Sequence, residues 1–160
     1  MPLKDQTADD TKVVVDRDTH TIVLTRMFAA PREQIFEAWT RPEHVTCWWD
    51  PAGHPLAECE IDLRPGGAFR FVNWHSPGAH QFAGVYREIE APAYLVFEAM
   101  GAIGRVILDE IGGKTRVTVR IECGSAAQLE RYLKMGIDAG TAKTLDNLIA
   151  YVGAMQCASN

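Results

Sequence analysis

The chain has 160 residues, of which 47% are hydrophobic and 23% are charged. This length and composition are typical of a single globular domain with a sizeable core, and they exclude fibrous, low-complexity and disordered chains. A formal net charge of −5 at pH 7, with no run of Lys or Arg, excludes a surface that neutralises phosphates, so we expect no nucleic-acid partner.

The N-terminal part of the chain predicts a tail followed by a strand. Residues 1–18 are mostly polar and predict a flexible tail, with at most a short extended piece at residues 13–15. From Thr19 the segment reads THTIVLTRMFAA, which is rich in the β-branched and apolar residues typical of strands. We therefore expect one domain over residues 19–155, and this strand begins it.

Two prolines predict the starts of two short helices. Pro31 fixes the first-turn φ and Glu33 places a carboxylate near a helix N-terminus, so PREQIFEAWT is expected to be helical. Pro42 begins a second short helix, EHVTCWW, which ends before Asp50 and Pro51. Two adjacent tryptophans therefore fall where a helix gives way to a loop.

Beyond the second helix the hydrophobic pattern changes to period two, which predicts β-strands. In LAECEIDL the apolar residues alternate with carboxylates, as in a strand with one buried and one solvated face. The segment RPGG supplies a fixed φ and then two permissive glycines, which is typical of a hairpin turn. The short connections predict an antiparallel meander. Its strands are expected at residues 56–63, 68–75, 81–90, 93–100, 104–111 and 115–123.

The segment from Ser125 to Val152 predicts a long C-terminal helix, because it lacks proline and is rich in Ala, Leu, Lys and Glu. Its apolar face turns by roughly a third of a circle between the two halves, so the helix should bend or break between Gly136 and Gly140. These two glycines also remove side chains from one face of the helix. If that face lies over the sheet, a hollow is left beneath it.

The order of these motifs resembles a known family. The motifs are TRMFAAPREQIFEAWTRPEHVTCWWDPAG, EIDLRPGGAFRF, FAGVYREIEAPAYLVFE and GTAKTLDNLIAYV. Over residues 20–152 the chain resembles bacterial stand-alone members of the activator of heat-shock-protein-ninety ATPase homologue-like family, within the START-like helix-grip (SRPBCC) superfamily. The resemblance implies an α+β fold in which a curved antiparallel sheet of about six to seven strands wraps around a long C-terminal helix, with two short helices after the first strand.

The resemblance also implies an apolar pocket between the long helix and the sheet, without implying a shared reaction. The family usually has an aromatic residue after the glycine of the last helix, whereas Thr141 follows Gly140 here. This departure predicts an enlarged or reshaped cavity. A chaperone partner, as in ATPase activation, is an alternative that rests on the fold-level likeness alone.

The leading hypothesis is a non-enzymatic binding domain for a small apolar or amphipathic molecule. Trp48 and Trp49 supply large apolar area beside a turn, and we expect one ring in the core and the other on the cavity wall. Strand parity does not decide which aromatic residues between positions 69 and 86 face inward. The candidate ligand-binding residues are Trp48, Trp49, Phe69, Phe71, Trp74, His75, Phe82, Tyr86, Met135, Gly136 and Gly140.

An enzyme of the cyclase, dehydratase or hydrolase kind, using the same cavity, is the second hypothesis. His75, Tyr86 or an inward-facing Glu98 would then transfer protons. The histidines form no HExxH motif, and neither GxSxG nor a phosphate-binding glycine loop occurs. We therefore predict no specific catalytic residue, metal ion or cofactor.

The cysteines and the hydropathy pattern predict the cellular context. Cys47, Cys59, Cys123 and Cys157 are far apart and include no CxxC pair, which favours reduced thiols in a reducing compartment. The apolar stretches are shorter than the roughly 20 residues that span a bilayer. We expect a cytoplasmic protein without a membrane partner, and exposed strand or helix surfaces leave a homodimer open.

Overall fold

The computed structural model describes residues 11–73 and 81–159, and the side chains of these residues up to position 154. Its strands are β1 (Lys12–Asp16), β2 (Thr21–Phe28), β3 (Leu56–Ile61), β4 (Ala68–Asn73), β5 (Gln81–Glu90), β6 (Tyr94–Ala99), β7 (Ala102–Ile111) and β8 (Lys114–Glu122). Its helices are α1 (Arg32–Thr40), α2 (Pro42–Trp48), α3 (Ala126–Lys134) and α4 (Ile137–Ser159). The predicted α+β helix-grip architecture is confirmed.

The strands form one antiparallel sheet in the order β1-β2-β8-β7-β6-β5-β4-β3. β2 pairs with β8 along its whole length, so an early strand is joined to the last one. The sheet curves around α4, whose Leu145 and Leu148 belong to the same buried core as Leu24 of β2. The Arg26 guanidinium on β2 donates to the Asp146 carboxylate on α4 at 3.0 Å, which ties the helix to the sheet at its surface.

The sheet has eight strands rather than the predicted six to seven, because β1 precedes the strand expected to be first. In this added pair Val14 lies opposite Val23. The Asp16 carboxylate accepts the backbone N–H groups of Asp18 at 3.0 Å and Thr19 at 3.3 Å, and so closes the turn between β1 and β2. The sheet therefore begins within the segment predicted as a tail.

The two prolines start α1 and α2 as the sequence predicts. Pro31 occupies the N-cap of α1, and Pro42 is the first residue of α2. At the end of α2, the Trp48 indole N–H donates to the Ala38 carbonyl of α1 at 2.9 Å. This bond locks the two helices together just before the chain enters the loop at residues 49–55.

The C-terminal helix is broken between α3 and α4. Ser125 caps α3 by accepting the Gln128 N–H, and α3 ends at Lys134. Gly136 has φ +75°, a left-handed conformation that favours glycine and ends a helix. The break predicted near Gly136 is confirmed, and α4 starts at Ile137. Within the described parts of the chain, no helix is both long enough and apolar enough to cross a bilayer.

Candidate functional site

A cavity of about 350 Å³ lies between the sheet and the junction of α3 with α4. Small-molecule sites typically measure about 300–1,000 Å³. Its floor consists of Phe82, Phe97, Ala99, Ala102, Gly104, Val106, Val119 and Ile121, from strands β5 to β8. Its roof consists of Tyr132, Met135, Gly136, Ile137, Gly140, Thr141, Thr144 and Leu145. Trp39, Trp49, Pro51 and Met100 complete the wall.

The two glycines of the roof explain the hollow. Gly136 and Gly140 both line the cavity, and a Cβ atom built on either would meet no heavy atom within 4 Å. Gly140 and Thr144 are separated by one helical turn and share the face of α4 that covers the sheet. Small side chains therefore run along this helix face, and space is left between helix and sheet.

Aromatic rings form one end of the cavity. The Trp49 and Phe82 ring centroids are 5.1 Å apart, and the Phe82 and Phe97 centroids are 6.2 Å apart in a T-shaped arrangement. Phe97 lies opposite Gly104 in the β6–β7 register. Because Gly104 has no side chain, the edge of the Phe97 ring occupies the space above it. The floor at this end of the cavity is therefore an apolar surface made of aromatic rings.

The loop that carries Trp49 is held to α4 by hydrogen bonds to its backbone. The Asn147 side-chain amide donates to the Asp50 carbonyl at 2.9 Å. The Thr144 hydroxyl lies 3.1 Å from the Trp49 carbonyl and 3.0 Å from the Gly140 carbonyl, and donates to either. These bonds fix the position of the Trp49 indole on the cavity wall.

Polar side chains on the described cavity wall are few, and two of them are hydrogen-bonded within the protein. Besides Thr144, the Tyr132 hydroxyl donates to the Met100 carbonyl in the β6–β7 turn. Burial, helped by the neighbouring Cys123, raises the pKa of Tyr132 above its ordinary value, so the phenol is neutral near pH 7. Among the lining residues that the structure describes, none is Asp, Glu, Lys, Arg or His.

This arrangement of sheet, short helices and broken C-terminal helix agrees with the family comparison. The family model described as Activator of Hsp90 ATPase homolog 1-like protein matches residues 29–153. The chain belongs to this family. The matched range contains α1, α2, α3, strands β3 to β8 and most of α4, and therefore all of the cavity-lining residues. No curated protein matches the chain.

Solved structures show the same fold as this Activator of Hsp90 ATPase homolog 1-like domain. A protein from Rhodobacter sphaeroides is similar with a TM-score of 0.80 at 20% identity, over 91% of this chain and 99% of that chain. A protein from Mycobacterium smegmatis has a TM-score of 0.76 at 26% identity, over 91% and 98%. An AHSA1-like protein from Aeromonas hydrophila has a TM-score of 0.68 at 21% identity, over 84% and 94%. These likenesses establish the fold and name no ligand.

The two adjacent tryptophans have different surroundings. Trp48 is 0% exposed and packs edge-on against Trp39, with ring centroids 5.0 Å apart. Trp48 does not line the cavity, so its selection as a ligand-binding candidate is corrected; its N–H is already satisfied by Ala38. Trp49 is half-buried and lines the cavity. The last residue of α2 thus faces the core, and the first residue of the loop faces the hollow.

Three further candidates lie behind the aromatic end rather than on the cavity. Phe69, Phe71 and Tyr86 are buried around a separate void of about 20 Å³. Such a void has room for one water molecule at most, so these side chains support the wall and do not line the main cavity. Burial, with the nearby Cys59, also raises the pKa of Tyr86, which makes this phenol a poor proton donor near neutrality. These three candidates are corrected accordingly.

The other candidates divide between the cavity and the part of the chain outside the described residues. Phe82, Met135, Gly136 and Gly140 line the cavity, as does Trp49. Trp74 and His75 lie outside the described residues, so their roles stay predictions.

The polar groups proposed for proton transfer do not converge in the described part of the cavity. The Glu98 carboxylate pairs with the Arg87 guanidinium, both side chains being about half exposed, and Glu98 is absent from the cavity wall. The prediction that Glu98 faces inward is therefore wrong, because β6 directs this residue to the solvated side of the sheet. Within the described residues, no group of three or more His, Cys, Asp or Glu side chains is placed to hold a metal ion.

Several lining residues are absent from the sequence-based candidates. Tyr132 shares the predicted helix face with Gly136, which was a usable signal. The sequence signal for Phe97 was weaker. Gly104 falls in the neighbouring predicted strand, and a glycine inside a strand often marks a place that another group approaches closely. Trp39 lies in the first predicted helix, but only the tertiary structure shows that its ring reaches the cavity.

Proposed function

We propose that this protein binds a small apolar or amphipathic molecule in the cavity between the sheet and the α3–α4 junction. The observation that carries the proposal is the cavity itself, about 350 Å³ in volume and walled mainly by apolar side chains and two glycines. Removing apolar ligand surface from water would drive binding, at about 25 cal/mol for each Å² buried. Membership of a fold that commonly holds small hydrophobic ligands supports the proposal.

Entry to the cavity is proposed between two methionines. Met100 and Met135 line the cavity, yet 47% of Met100 and 57% of Met135 is exposed. Met100 lies in the β6–β7 turn, which Gln128 holds through the Gly101 carbonyl at 3.1 Å. Met135 follows the last turn of α3, next to the break at Gly136. Methionine side chains are flexible and polarizable, so they can part for a ligand and close against it. We call the gap between Met100 and Met135 the mouth.

The experiment is a binding screen with a cavity-filling variant. A panel of small aromatic and aliphatic probes, both neutral and charged, is screened by native mass spectrometry, and dissociation constants of hits are measured by calorimetry. Thr141 lines the cavity at the position where the family usually carries an aromatic residue. Thr141→Trp should fill the hollow and weaken every hit by at least about tenfold.

Thr141→Val is the matched control, because it keeps the side-chain volume and removes only the hydroxyl. Its affinities should stay within about threefold of the parent protein's. Circular dichroism and thermal melting establish that both variants are folded. The proposal fails if no probe binds, or if folded Thr141→Trp binds the hits as tightly as the parent protein does.

A further inference from the structure

We propose that the ligand enclosed by this cavity is an uncharged molecule containing an aromatic ring system, and that the cavity rejects the carboxylate analogue of the same molecule. This inference rests on the proposed function and specifies its ligand class. Three observations carry it: the charge of the wall, the state of its polar groups, and the shape of its aromatic end.

The described wall offers no ionised side chain to compensate a buried charge, and the start of α4 supplies only the partial positive charge of a helix N-terminus. On the adjoining helices, Lys134 and Lys143 are exposed and neither lines the cavity, and Asp138 is likewise absent from the wall. A carboxylate moved from water into such surroundings loses its hydration and gains no cation, which costs several kcal/mol unless it takes up a proton. The enclosed part of a ligand must therefore be neutral.

The polar groups of the described wall are few and neutral, and two of them are already used by the fold. The Tyr132 hydroxyl proton is used by the Met100 carbonyl, and the Thr144 hydroxyl proton by the carbonyl of Trp49 or Gly140. The oxygen atoms of these hydroxyls remain able to accept a hydrogen bond. These two hydroxyls therefore favour a ligand that donates a hydrogen bond, and the Thr141 hydroxyl and the indole N–H groups of Trp39 and Trp49 add neutral donors but no cation.

The aromatic end favours a ring system. Trp49, Phe82 and Phe97 present their rings to the cavity. Gly104, opposite Phe97, has no side chain, so the edge of the Phe97 ring lies directly over its backbone. Aromatic pairs in offset or edge-to-face contact gain about 0.5–1.5 kcal/mol beyond area burial. At the packing density of protein interiors, a volume of this size is filled by about 15 non-hydrogen atoms. Two fused or linked rings with a small substituent match this size.

The test compares two probes of the same shape and size, 2-naphthamide and 2-naphthoate. Calorimetric titrations are run at about pH 7.5 and about pH 5.5, on either side of neutrality but above the pKa of the acid. The amide should bind with the same affinity at both pH values. The acid should bind on the order of a thousandfold more weakly than the amide at the higher pH, and should gain about tenfold for each unit by which the pH falls, because only its protonated form enters.

The outcomes separate this inference from the proposed function. Equal affinities of amide and acid, or an acid whose affinity does not change with pH, overturn the inference and leave the binding function standing. Aliphatic hits from the panel with no binding of the amide overturn the ring-system claim in the same way. Only a panel without any hit removes both. The pH-independence of the amide shows that titration of the protein does not produce the effect, since Tyr132 is the one titratable side chain in the described wall.

Discussion

The edge of the Phe97 ring on β6 covers Gly104, its register partner on β7, so closely that a Cβ atom at position 104 would lie 2.4 Å from the ring. Between β4 and β5 a Cβ atom on Gly84 would likewise lie 2.8 Å from the ring of Phe69, although it would meet the Glu98 carbonyl oxygen first, at 2.0 Å. Aromatic rings thus replace the missing glycine side chains in the sheet. The first pair forms part of the cavity floor, so it links the stability of the sheet to the shape of the site.

The first prediction concerns the Phe97–Gly104 pair. Gly104→Ala should lower the free energy of unfolding by about 1–3 kcal/mol, because the new methyl group displaces the ring. In a Phe97→Leu background the same Gly104→Ala substitution should lower the free energy of unfolding much less, because the ring atoms that the methyl group meets are gone. Chemical denaturation of the four proteins in this double-mutant cycle measures the coupling. Additive effects would show that the contact is not the cause.

Gly153→Ala is the control for this cycle. Gly153 lies exposed in α4, and a Cβ atom there meets no heavy atom within 4 Å. Alanine at that position should stabilise the helix by up to about 1 kcal/mol. A loss of stability at position 153 as large as that at position 104 would contradict the steric explanation.

The sequence predicts the break in the C-terminal helix because the break depends on a local property. Gly136 adopts a left-handed conformation, which favours glycine and ends α3. It does not predict which tryptophan faces the hollow, since Trp48 and Trp49 differ only in where α2 stops. Phe69 and Tyr86 point to the same side of the sheet as Phe82, but only the packing of the rings decides that Phe82 lines the cavity while Phe69 and Tyr86 lie behind it, and no periodicity reveals this. The fold is therefore largely predictable from the sequence, but the site depends on tertiary contacts.

The second prediction separates two glycines that both face empty space. Gly140 lies within α4, so Gly140→Ala should raise the free energy of unfolding by about 0.5–1 kcal/mol through better helix propensity. Gly136 has φ +75°, so Gly136→Ala should lower it by about 1 kcal/mol even though no atom obstructs the methyl group. Thermal and denaturant unfolding measure both changes. Effects of the same sign would contradict the conformational assignment of Gly136.

The third prediction concerns the loop that carries Trp49. Thr144→Val removes the hydroxyl that lies 3.1 Å from the Trp49 carbonyl, and should destabilise the fold by about 1 kcal/mol. Asn147→Ala removes the amide that lies 2.9 Å from the Asp50 carbonyl, with a similar cost of about 1–2 kcal/mol. Both variants should also release a bound cavity probe faster, because the Trp49 wall becomes looser. Stopped-flow dissociation and denaturant unfolding give the two readouts.

Lys143→Ala is the control for these loop variants. Lys143 is exposed on α4, beside Thr144 in sequence, and its side chain does not line the cavity. Its substitution should leave both stability and probe release close to those of the parent protein. Unchanged probe release in Thr144→Val and Asn147→Ala would show that the loop does not govern retention.

The fourth prediction concerns the thiol of Cys59 on β3. Burial, followed by the nearby carboxylates of Glu43 and Glu60, raises the pKa of Cys59 from 9.0 to about 11. Because the thiolate is the reactive species, Cys59 in the folded protein should alkylate slowly near neutrality. The rate should climb about tenfold per pH unit up to about pH 11, whereas in denaturant it levels off near pH 9. Iodoacetamide labelling is followed by mass spectrometry in a protein whose other three cysteines are replaced by serine.

The same pKa shift fixes the sign of a stability change with pH. Below pH 9 the Cys59 thiol is protonated in both the folded and the unfolded chain, so its burial contributes fully to stability. Between pH 9 and about 11 the unfolded chain loses the proton first and binds fewer protons than the folded chain, so stability falls as pH rises. Cys59→Ala should show a shallower decline over this interval, both because Cys59 no longer titrates and because Cys59 contributes to the raised pKa of Tyr86. Identical slopes in denaturant unfolding would mean that Cys59 titrates as freely in the folded chain as in the unfolded one.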